Sequence, residues 1–255
     1  MNKIKVGIFG FGRTGKVVVN EFIKDGNFTL NWVVRRTQDE NHKYASTLLG
    51  YEHKEGEIFS IDDIDNLFYK KNNVDVIIDF ANSKAVQFYK NAADNGIKII
   101  SAISKYEDSD YKLLEDMSLS TAVLYSPNIT LGINFLLIAS QVLQKIAPHA
   151  DIEIIEEHFR EKQEISGTAK KIARALELNQ EQHINSIRVG GIVGKHEIVF
   201  GLPNQTIRLT HESINRAAFG QGAIFAAKWL INQSNGLYSM EQIISDMFMK
   251  NTPVY

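Results

Sequence analysis

One stretch of the chain, residues 151–169, places titratable and cationic side chains next to a possible helix start. His158 and Lys162 lie among acidic residues, and Ser166-Gly167-Thr168 precedes a helical pattern, Ala169 to Leu178. Histidine titrates near neutral pH and can move a proton, while lysine offers a fixed positive charge. A helix start has free N–H groups and a positive dipole end, so it binds anions. The stretch therefore predicts a site that holds a small anion beside an acid or base.

A second motif with chemical meaning lies near the N-terminus, where residues Gly10, Phe11, Gly12, Arg13, Thr14 and Gly15 match G-x-G-x-x-G. Strand patterns, Ile4 to Phe9 and Phe28 to Val34, flank a helical pattern that runs from Arg13 to Lys24. In this context the glycines permit a tight turn and a close approach of a pyrophosphate to the helix start. The motif predicts a dinucleotide site built from all six residues, with Arg13 at the pyrophosphate.

The residues after the second strand pattern bear on the choice of nucleotide. An acidic residue there would bind a ribose 2′-hydroxyl, but this chain has Arg35 and Arg36. Guanidinium groups suit a 2′-phosphate, which they bind with charge-assisted hydrogen bonds. The pair favours NADPH, although Asp39 and Glu40 nearby leave NADH possible.

Alternating strand and helix patterns must position these groups. Helical patterns (61–71, 83–93 with Ser83 as cap, 106–117) alternate with strand patterns (74–80, 97–102, 121–125), after a mostly irregular segment, 37–60. This order predicts a Rossmann-type doubly wound parallel sheet, whose ligand lies beyond the carboxyl ends of the strands. We therefore expect residues at those ends to contact the cofactor: Phe80, Ala81, Ser101, Ala102, Ser104, Pro127 and Asn128.

The pattern changes after Ser126-Pro127-Asn128, a turn signal that predicts a domain boundary. Three strand patterns with tight connections (184–190, 196–200, 206–210) predict an antiparallel or mixed sheet in a second, α+β domain. We predict a nucleotide domain, 1–127, and a domain for substrate binding and oligomerisation, 128–215. The C-terminal helices, 216–255, are expected to pack back on the first domain.

Composition narrows the function classes. The 255 residues carry a net charge of -2, which gives no electrostatic case for nucleic-acid binding. There is no cysteine, so disulfides, thiolate catalysis and cysteine metal sites are excluded, and we expect no metal. No uninterrupted apolar run suits a membrane span, and the first residues do not form a signal peptide. We expect a cytoplasmic protein.

Several motifs together make the chain resemble the 4-hydroxy-tetrahydrodipicolinate reductase (dihydrodipicolinate reductase) family. They are the Gly-rich turn, VIIDFANS, SPNITLGIN, EIIEEHFREKQEISGTA, SIRVGGIVGKHEIVFGLPNQTIRLTHES, RAAFGQGA and KWL, which span nearly the whole chain. The resemblance implies NAD(P)H-dependent reduction of 4-hydroxy-tetrahydrodipicolinate in lysine and diaminopimelate synthesis. It also implies a homotetramer built through the second domain's sheet.

The resemblance assigns roles within the stretch 151–169. His158 corresponds to the proton donor and Lys162 to the cationic partner, while Ser166, Gly167 and Thr168 correspond to the residues that hold a carboxylate of a small dicarboxylate substrate. His196 and His211 are interpreted as structural, and Arg160 and Glu161 as solvated.

Three positions depart from the family pattern. Phe159 stands where the family has a second histidine, Glu164-Ile165 replaces Ala-Pro, and the loop Ser101–Ser104 replaces Gly-Thr-Thr-Gly. These changes keep open a reductase of another small cyclic imine or unsaturated carboxylate. A non-catalytic nucleotide-binding sensor or scaffold is the alternative of another class.

Overall fold

The structure, a computed structural model, describes residues 2–39 and 42–251. Contacts divide the chain into two compact units, each with its own sheet and apolar core. The first unit contains the chain up to Ile129 together with Phe219–Met240, and the second contains Thr130–Ala218 together with the described residues from Glu241 onward. No helix within the described ranges is long and apolar enough to cross a membrane.

The elements follow in chain order. The strands are β1 (Ile4–Phe9), β2 (Phe28–Arg35), β3 (Glu57–Ser60), β4 (Val76–Asp79), β5 (Lys98–Ser101), β6 (Ala122–Tyr125), β7 (Asp151–His158), β8 (Ile184–Arg188), β9 (Lys195–Leu202), β10 (Gln205–Glu212) and β11 (Gly236–Tyr238). The helices are α1 (Arg13–Lys24), α2 (Ala45–Leu48), α3 (Phe68–Lys71), α4 (Val86–Tyr89), α5 (Asp108–Ser118), α6 (Leu131–Ile146), α7 (Gly167–Ala175), α8 (Gln180–His183), α9 (Ala217–Leu230) and α10 (Met240–Lys250).

The first unit is built on a parallel sheet of seven strands in the order β11-β6-β5-β4-β1-β2-β3. Its central strands are largely apolar and buried, as is typical of a parallel sheet covered on both faces; Ile77 and Ile78 of β4, for example, are fully buried. Strand order reverses direction beside β1, which creates the crevice where such sheets bind ligands. The predicted Rossmann-type fold is confirmed.

Two predicted helices of the first unit are wrong. Residues 61–71 begin with a 3-10 turn, Ile61–Asp63, and become helical again only in α3. Between them the chain forms a turn, because the Asp65 side chain accepts a hydrogen bond from the Leu67 N–H at 2.9 Å. The helix expected to begin at Ser83 is likewise two 3-10 segments around the short α4, and its cap is Asn82, whose side chain accepts from the Lys84 N–H at 2.9 Å.

The sequence patterns do not predict two edge strands of the first sheet. The strand β3 pairs with the end of β2 inside the segment expected to be irregular, and β11 pairs with β6. Both are short, with four and three residues, so neither shows a clear alternation or a long apolar run.

The second unit has a mixed sheet in the order β10-β9-β7-β8, as predicted. The strand β7 is parallel to β8 and antiparallel to β9, which is antiparallel to β10. Side chains alternate between the faces of β7, and Ile152 and Ile154 pack into a core with residues of α6 and α7. The same face continues through Glu156 and His158, which are also buried. Apolar packing therefore gives way to polar groups at the carboxyl end of β7.

The helix α10 departs from the predicted packing of the C-terminal segment. It belongs to the second unit, where the rings of Phe248 and Phe135 lie 5.0 Å apart and Glu241 pairs with Lys171 of α7. Only α9 belongs to the first unit, where Lys228 pairs with Asp25 at 2.8 Å, just past the end of α1.

Candidate functional site

The Gly-rich loop between β1 and α1 has the geometry of a phosphate cradle. Gly10 has a positive φ of 104°, which favours glycine, and its N–H donates to the Val34 carbonyl at 2.8 Å. A Cβ on Gly15 would lie 2.2 Å from the Gly10 carbonyl oxygen, so α1 can approach β1 only with glycine there. A Cβ on Gly12 would meet nothing within 4 Å. The loop is thus packed on its inner side and open on the side where α1 begins.

A cavity of about 680 Å³ in the first unit lies against this loop. Six of the predicted cofactor residues line it: Gly10, Phe11, Gly12, Arg35, Arg36 and Ala81. Lys84, absent from the sequence-based set, adds a third cation, and none of the described lining residues is acidic. Asp39 is exposed and does not line the cavity, and Glu40 lies outside the described residues. The cavity therefore fits an anionic ligand that also has an apolar part, such as a phosphorylated dinucleotide.

The other predicted cofactor residues lie outside the cavity lining. Arg13, Thr14 and Gly15 form the first turn of α1. The remaining ones follow strands whose ends are in register, since Asp79 of β4 pairs with Ser101 of β5 and Ser101 with Tyr125 of β6. This edge of the sheet brings together Phe80, Ala102, Ser104, Pro127 and Asn128.

The Ser101 side chain faces inward. Its hydroxyl is fully buried and lies 2.8 Å from the Tyr106 hydroxyl, which contacts the Tyr89 hydroxyl at 3.2 Å. Tyr89 donates to the Asp79 carboxyl group at 2.9 Å. Burial raises the pKa of Asp79 to about 7, although hydrogen bonds from the Ala81 N–H and the Tyr89 hydroxyl lower it. The serine that stands where the family has glycine is thus held by a buried polar chain, so its side chain is not available to a ligand.

A buried carboxylate organises the second unit's polar cluster. Glu156 is fully buried, and both of its oxygens accept from the Arg188 guanidinium, at 2.6 and 2.9 Å. Ser186 donates to it at 2.7 Å and the Ser166 N–H at 3.2 Å. Burial alone would raise the pKa of Glu156, but these hydrogen bonds, led by those of Arg188, lower it to about 2. The carboxylate is therefore ionised at neutral pH.

His158 lies at the end of β7 with Nδ1 2.5 Å from the Glu156 carboxylate. Its pKa is lowered by burial, with Lys162 and Arg188 adding to the effect and Glu156 opposing it. The His196 ring stands edge-on to it at 5.3 Å, and burial lowers the pKa of His196 to about 3. His196 is therefore neutral at physiological pH, while His158 can exchange a proton.

Arg188 also holds the loop that follows β7. Its Nε donates to the Lys162 carbonyl at 2.8 Å and one Nη to the Glu164 carbonyl at 2.9 Å. The Lys162 side chain makes no ion pair with any described residue, so its ammonium group is available to a ligand. Phe159, which replaces a family histidine, is 39% exposed on the same loop. The loop is fixed through its backbone and leaves its cation free.

Ser166 caps α7 and is already engaged. Its hydroxyl accepts from the Ala169 N–H at 3.5 Å and lies 2.8 Å from His196 Nε2, and the residue is 3% exposed. Gly167, by contrast, is exposed, and a Cβ there would meet nothing within 4 Å. The first turn of α7 has no acidic residue. An anion can therefore approach the helix start over Gly167, while Ser166 shapes the cap from inside.

Two residues that organise this cluster are absent from the sequence-based set: Glu156 and Arg188. His196, which the sequence suggests is structural, is buried in the cluster and contacts Ser166. The alternation of β7 carried a usable signal, because it puts Glu156 on the same buried face as Ile152 and Ile154, and a buried carboxylate needs a cation. Among the described residues, no group of three or more His, Asp and Glu is placed to hold a metal ion.

Replacing Gly12 with alanine tests the open side of the Gly-rich loop. Because the added Cβ meets no atom within 4 Å, the thermal unfolding midpoint should stay close to wild type. The methyl group would occupy space that a pyrophosphate needs, so NADPH affinity should fall ~10-fold or more. Gly26→Ala, where a Cβ also meets nothing, is the control. Unchanged NADPH affinity in Gly12→Ala, measured by fluorescence titration, would contradict the cradle.

Comparison with known proteins agrees with this arrangement. Residues 4–129 match the family model "Dihydrodipicolinate reductase, N-terminus", and residues 129–244 match "Dihydrodipicolinate reductase, C-terminus". The 4-hydroxy-tetrahydrodipicolinate reductase of Caldanaerobacter subterraneus subsp. tengcongensis is 34% identical over 196 residues, 68% of this chain and 78% of the relative. That of Thermosipho africanus is 28% identical over 249 residues, 96% of this chain and 100% of the relative.

The fold has a solved counterpart. The structure of a dipicolinate-bound dihydrodipicolinate reductase from Paenisporosarcina sp. TG-14 matches with a TM-score of 0.75 at 21% identity, covering 94% of this chain and 99% of that one. The family models together cover almost the entire chain, with their border at the boundary between the two units. The chain belongs to the dihydrodipicolinate reductase family.

Proposed function

We propose that the protein reduces 4-hydroxy-tetrahydrodipicolinate to tetrahydrodipicolinate with NAD(P)H, in lysine and diaminopimelate biosynthesis. Water and oxidised cofactor are the other products. The observation that best supports this is the cluster at the end of β7, where the buried Glu156–Arg188 pair contacts His158, the Lys162 backbone and Ser166. These are three groups that the reaction needs.

The chain's own residues account for the chemistry around the substrate. When bound, NAD(P)H supplies the hydride. His158 donates a proton from Nε2, since Nδ1 faces Glu156. Lys162 stabilises negative charge on the substrate with its unpaired ammonium group. The helix start at Gly167 and Thr168, where Gly167 is exposed, holds a substrate carboxylate, and buried Ser166 supports that helix start from within.

In this proposal the first unit binds the cofactor. The Gly-rich loop and the start of α1 receive the pyrophosphate, with the residues at the ends of β4, β5 and β6 beyond it. Arg35, Arg36 and Lys84 line the same cavity and would hold the 2′-phosphate of NADPH. Because the cavity is lined by three cations and by no acidic side chain from the described part of the chain, NADPH is favoured over NADH as the cofactor.

The variant Arg35→Ala/Arg36→Ala is expected to weaken NADPH binding and leave NADH binding nearly unchanged. Each guanidinium lost removes a charge-assisted hydrogen bond to the 2′-phosphate, which predicts a ~10- to 100-fold rise in the NADPH dissociation constant. NADH, which lacks that phosphate, serves as the internal control in the same titration. Equal losses for both cofactors would remove the argument from the 2′-phosphate.

We further propose a cytoplasmic homotetramer that forms through the second unit's sheet. The face opposite its core carries apolar side chains, among them Ile187, which is 44% exposed, and the half-buried Ile155 and Val199. Exposed apolar groups on a sheet face favour burial against a second copy. Analytical ultracentrifugation should give the mass of four chains, and a monomeric mass at micromolar concentration would contradict the tetramer.

The substrate assignment is tested by identifying the product. With NADPH and substrate generated in situ, mass spectrometry should detect tetrahydrodipicolinate, which differs from the substrate by loss of water and gain of two hydrogens. Cofactor oxidation accompanied by a different reduced imine would favour the alternative reductase. Stable NADPH binding without any reduced product would favour a non-catalytic sensor.

A further inference from the structure

The buried Glu156 contacts three elements of the second unit's polar cluster: α7, β8 and its own strand, β7. Through one carboxylate it reaches Ser166 at the start of α7, His158 on its own strand, and Ser186 and Arg188 on β8. The proposed reaction uses no carboxylate of the protein as an acid, base or nucleophile. Glu156 is also fully buried, so it does not touch substrate. Any effect of Glu156 on the reaction must therefore come through the residues that it contacts.

We propose that Glu156 is a positioning residue that fixes His158 in the Nδ1–H form, so that Nε2 alone exchanges the catalytic proton. The proposal rests on the proposed function, because it assigns the proton donor of that reaction to a single ring atom. Arg188, which pairs with Glu156, extends the same control to the Lys162 loop.

The tautomer follows from the chemistry of the partners. An ionised carboxylate only accepts hydrogen bonds, so at 2.5 Å the Nδ1 atom of His158 must carry the hydrogen. The imidazolium form then has a second hydrogen on Nε2. When that proton passes to a substrate carbanion, the N–H electron pair stays on Nε2, a C–H bond forms, and Nδ1–H remains on Glu156.

Glu156 can play this part because it stays ionised despite burial. The guanidinium of Arg188 binds both carboxylate oxygens, and the Ser166 N–H and Ser186 hydroxyl complete the shell. A carboxylate paired in this way holds its charge down to acidic pH. An ionised and immobile acceptor then selects one nitrogen of the imidazole throughout the working pH range.

The charged groups around His158 determine the direction of the expected pH effect. Glu156 raises its pKa, while Arg188 from β8 and Lys162 from the following loop lower it. The remaining titratable neighbour, His196 of β9, is neutral. In Glu156→Gln the negative charge that raises the pKa of His158 is lost, and the neutral amide oxygen is a weaker acceptor for Nδ1–H than a carboxylate. The imidazolium form of His158 is therefore destabilised and its pKa falls.

Glu156→Gln should lower kcat at neutral pH ~10- to 100-fold and move the imidazolium limb of the pH–kcat profile to lower pH. The KM for substrate and the NADPH affinity should change less than ~3-fold. Glu156→Asp restores the charge, so its limb should return toward wild type even if kcat stays reduced. A reduced kcat with an unshifted limb in Glu156→Gln would show a merely structural role and overturn the proposal.

A matched control lies on the same strand. Glu153 also contacts a histidine, His183 Nδ1 at 3.0 Å, but on the opposite, partly exposed face of β7. Glu153→Gln should keep the wild-type kcat and pH profile. If the pH–kcat profile of Glu153→Gln shifted as much as that of Glu156→Gln, any negative charge on β7 would have the same effect. That result would also overturn the proposal.

A measurement on the wild-type protein keeps the proposal testable if Glu156→Gln does not fold. In ¹⁵N-histidine NMR, the signals missing from His158→Gln identify His158, which should show Nδ1–H in its neutral form and titrate at Nε2. A neutral Nε2–H form would overturn the positioning role. Failure of wild-type turnover with 4-hydroxy-tetrahydrodipicolinate would instead sink the proposed function, and the tautomer would still be measurable.

Discussion

Lys162→Ala is expected to reduce kcat by ~10²- to 10³-fold while NADPH affinity stays at the wild-type value. The ammonium group of Lys162 has no ion-pair partner among the described residues, whereas its backbone is held by Arg188 and Phe159. Removing the side chain therefore deletes the charge that we propose acts on substrate and leaves the loop in place. The measurement is steady-state oxidation of NADPH, with cofactor binding followed by fluorescence.

A lysine outside the cluster provides the control for this variant. Lys145 is exposed near the end of α6, and Lys145→Ala should retain full activity. If Lys162→Ala kept more than about a tenth of wild-type kcat, well short of the loss expected for an electrostatic group, Lys162 would have no catalytic role. A parallel loss of NADPH affinity would point to a folding defect instead.

Arg188→Met is expected to cost about 3–5 kcal/mol of unfolding free energy, since it leaves a buried carboxylate without its cation. Methionine retains much of the apolar stem, so the loss reports mainly on charge. Arg208→Met is the control, because Arg208 pairs with Glu197 while 57% exposed and should cost less than about 1 kcal/mol. Urea unfolding followed by circular dichroism measures both, and equal costs would contradict a special role for the Glu156–Arg188 pair.

The sign of the pH dependence follows from the depressed pKa of Glu156. Its folded pKa, about 2, lies below the ordinary value of 4.5, so its stabilising contribution is fully present above pH 4.5. The contribution is lost as the pH falls from 4.5 toward 2. The stability difference between wild type and Arg188→Met should therefore narrow across that interval. A difference that stayed constant would mean that Glu156 is not ionised in the folded protein.

The cofactor half of the protein was largely predictable from sequence. Strand, Gly-rich turn and helix are local patterns, and Gly10, Gly15 and Arg35 lie close together along the chain. The fold, with its reversal beside β1, follows from alternation of strands and helices. The strands β3 and β11 were missed because short edge strands are stabilised by pairing with distant neighbours rather than by their own pattern.

The substrate half was only partly predictable. His158, Lys162 and Ser166 could be named because they lie in one continuous stretch, but the residues that hold them come from other strands. Arg188 is 32 positions from Glu156 in sequence and meets it only because β8 pairs with β7. The resemblance implies that Ser166 helps to hold a substrate carboxylate, but motifs do not report that its hydroxyl lies 2.8 Å from His196 Nε2. Such partnerships depend on strand register, which motifs do not report.

The central claim is that this chain reduces 4-hydroxy-tetrahydrodipicolinate through the His158–Lys162 cluster. Its most direct test is NADPH oxidation by the wild-type enzyme, with substrate generated in situ, compared with His158→Gln and Lys162→Ala under the same conditions. We predict rapid oxidation that depends on substrate and is nearly abolished in both variants, although NADPH still binds. No oxidation by wild type with this substrate, but oxidation with another cyclic imine, would contradict the account.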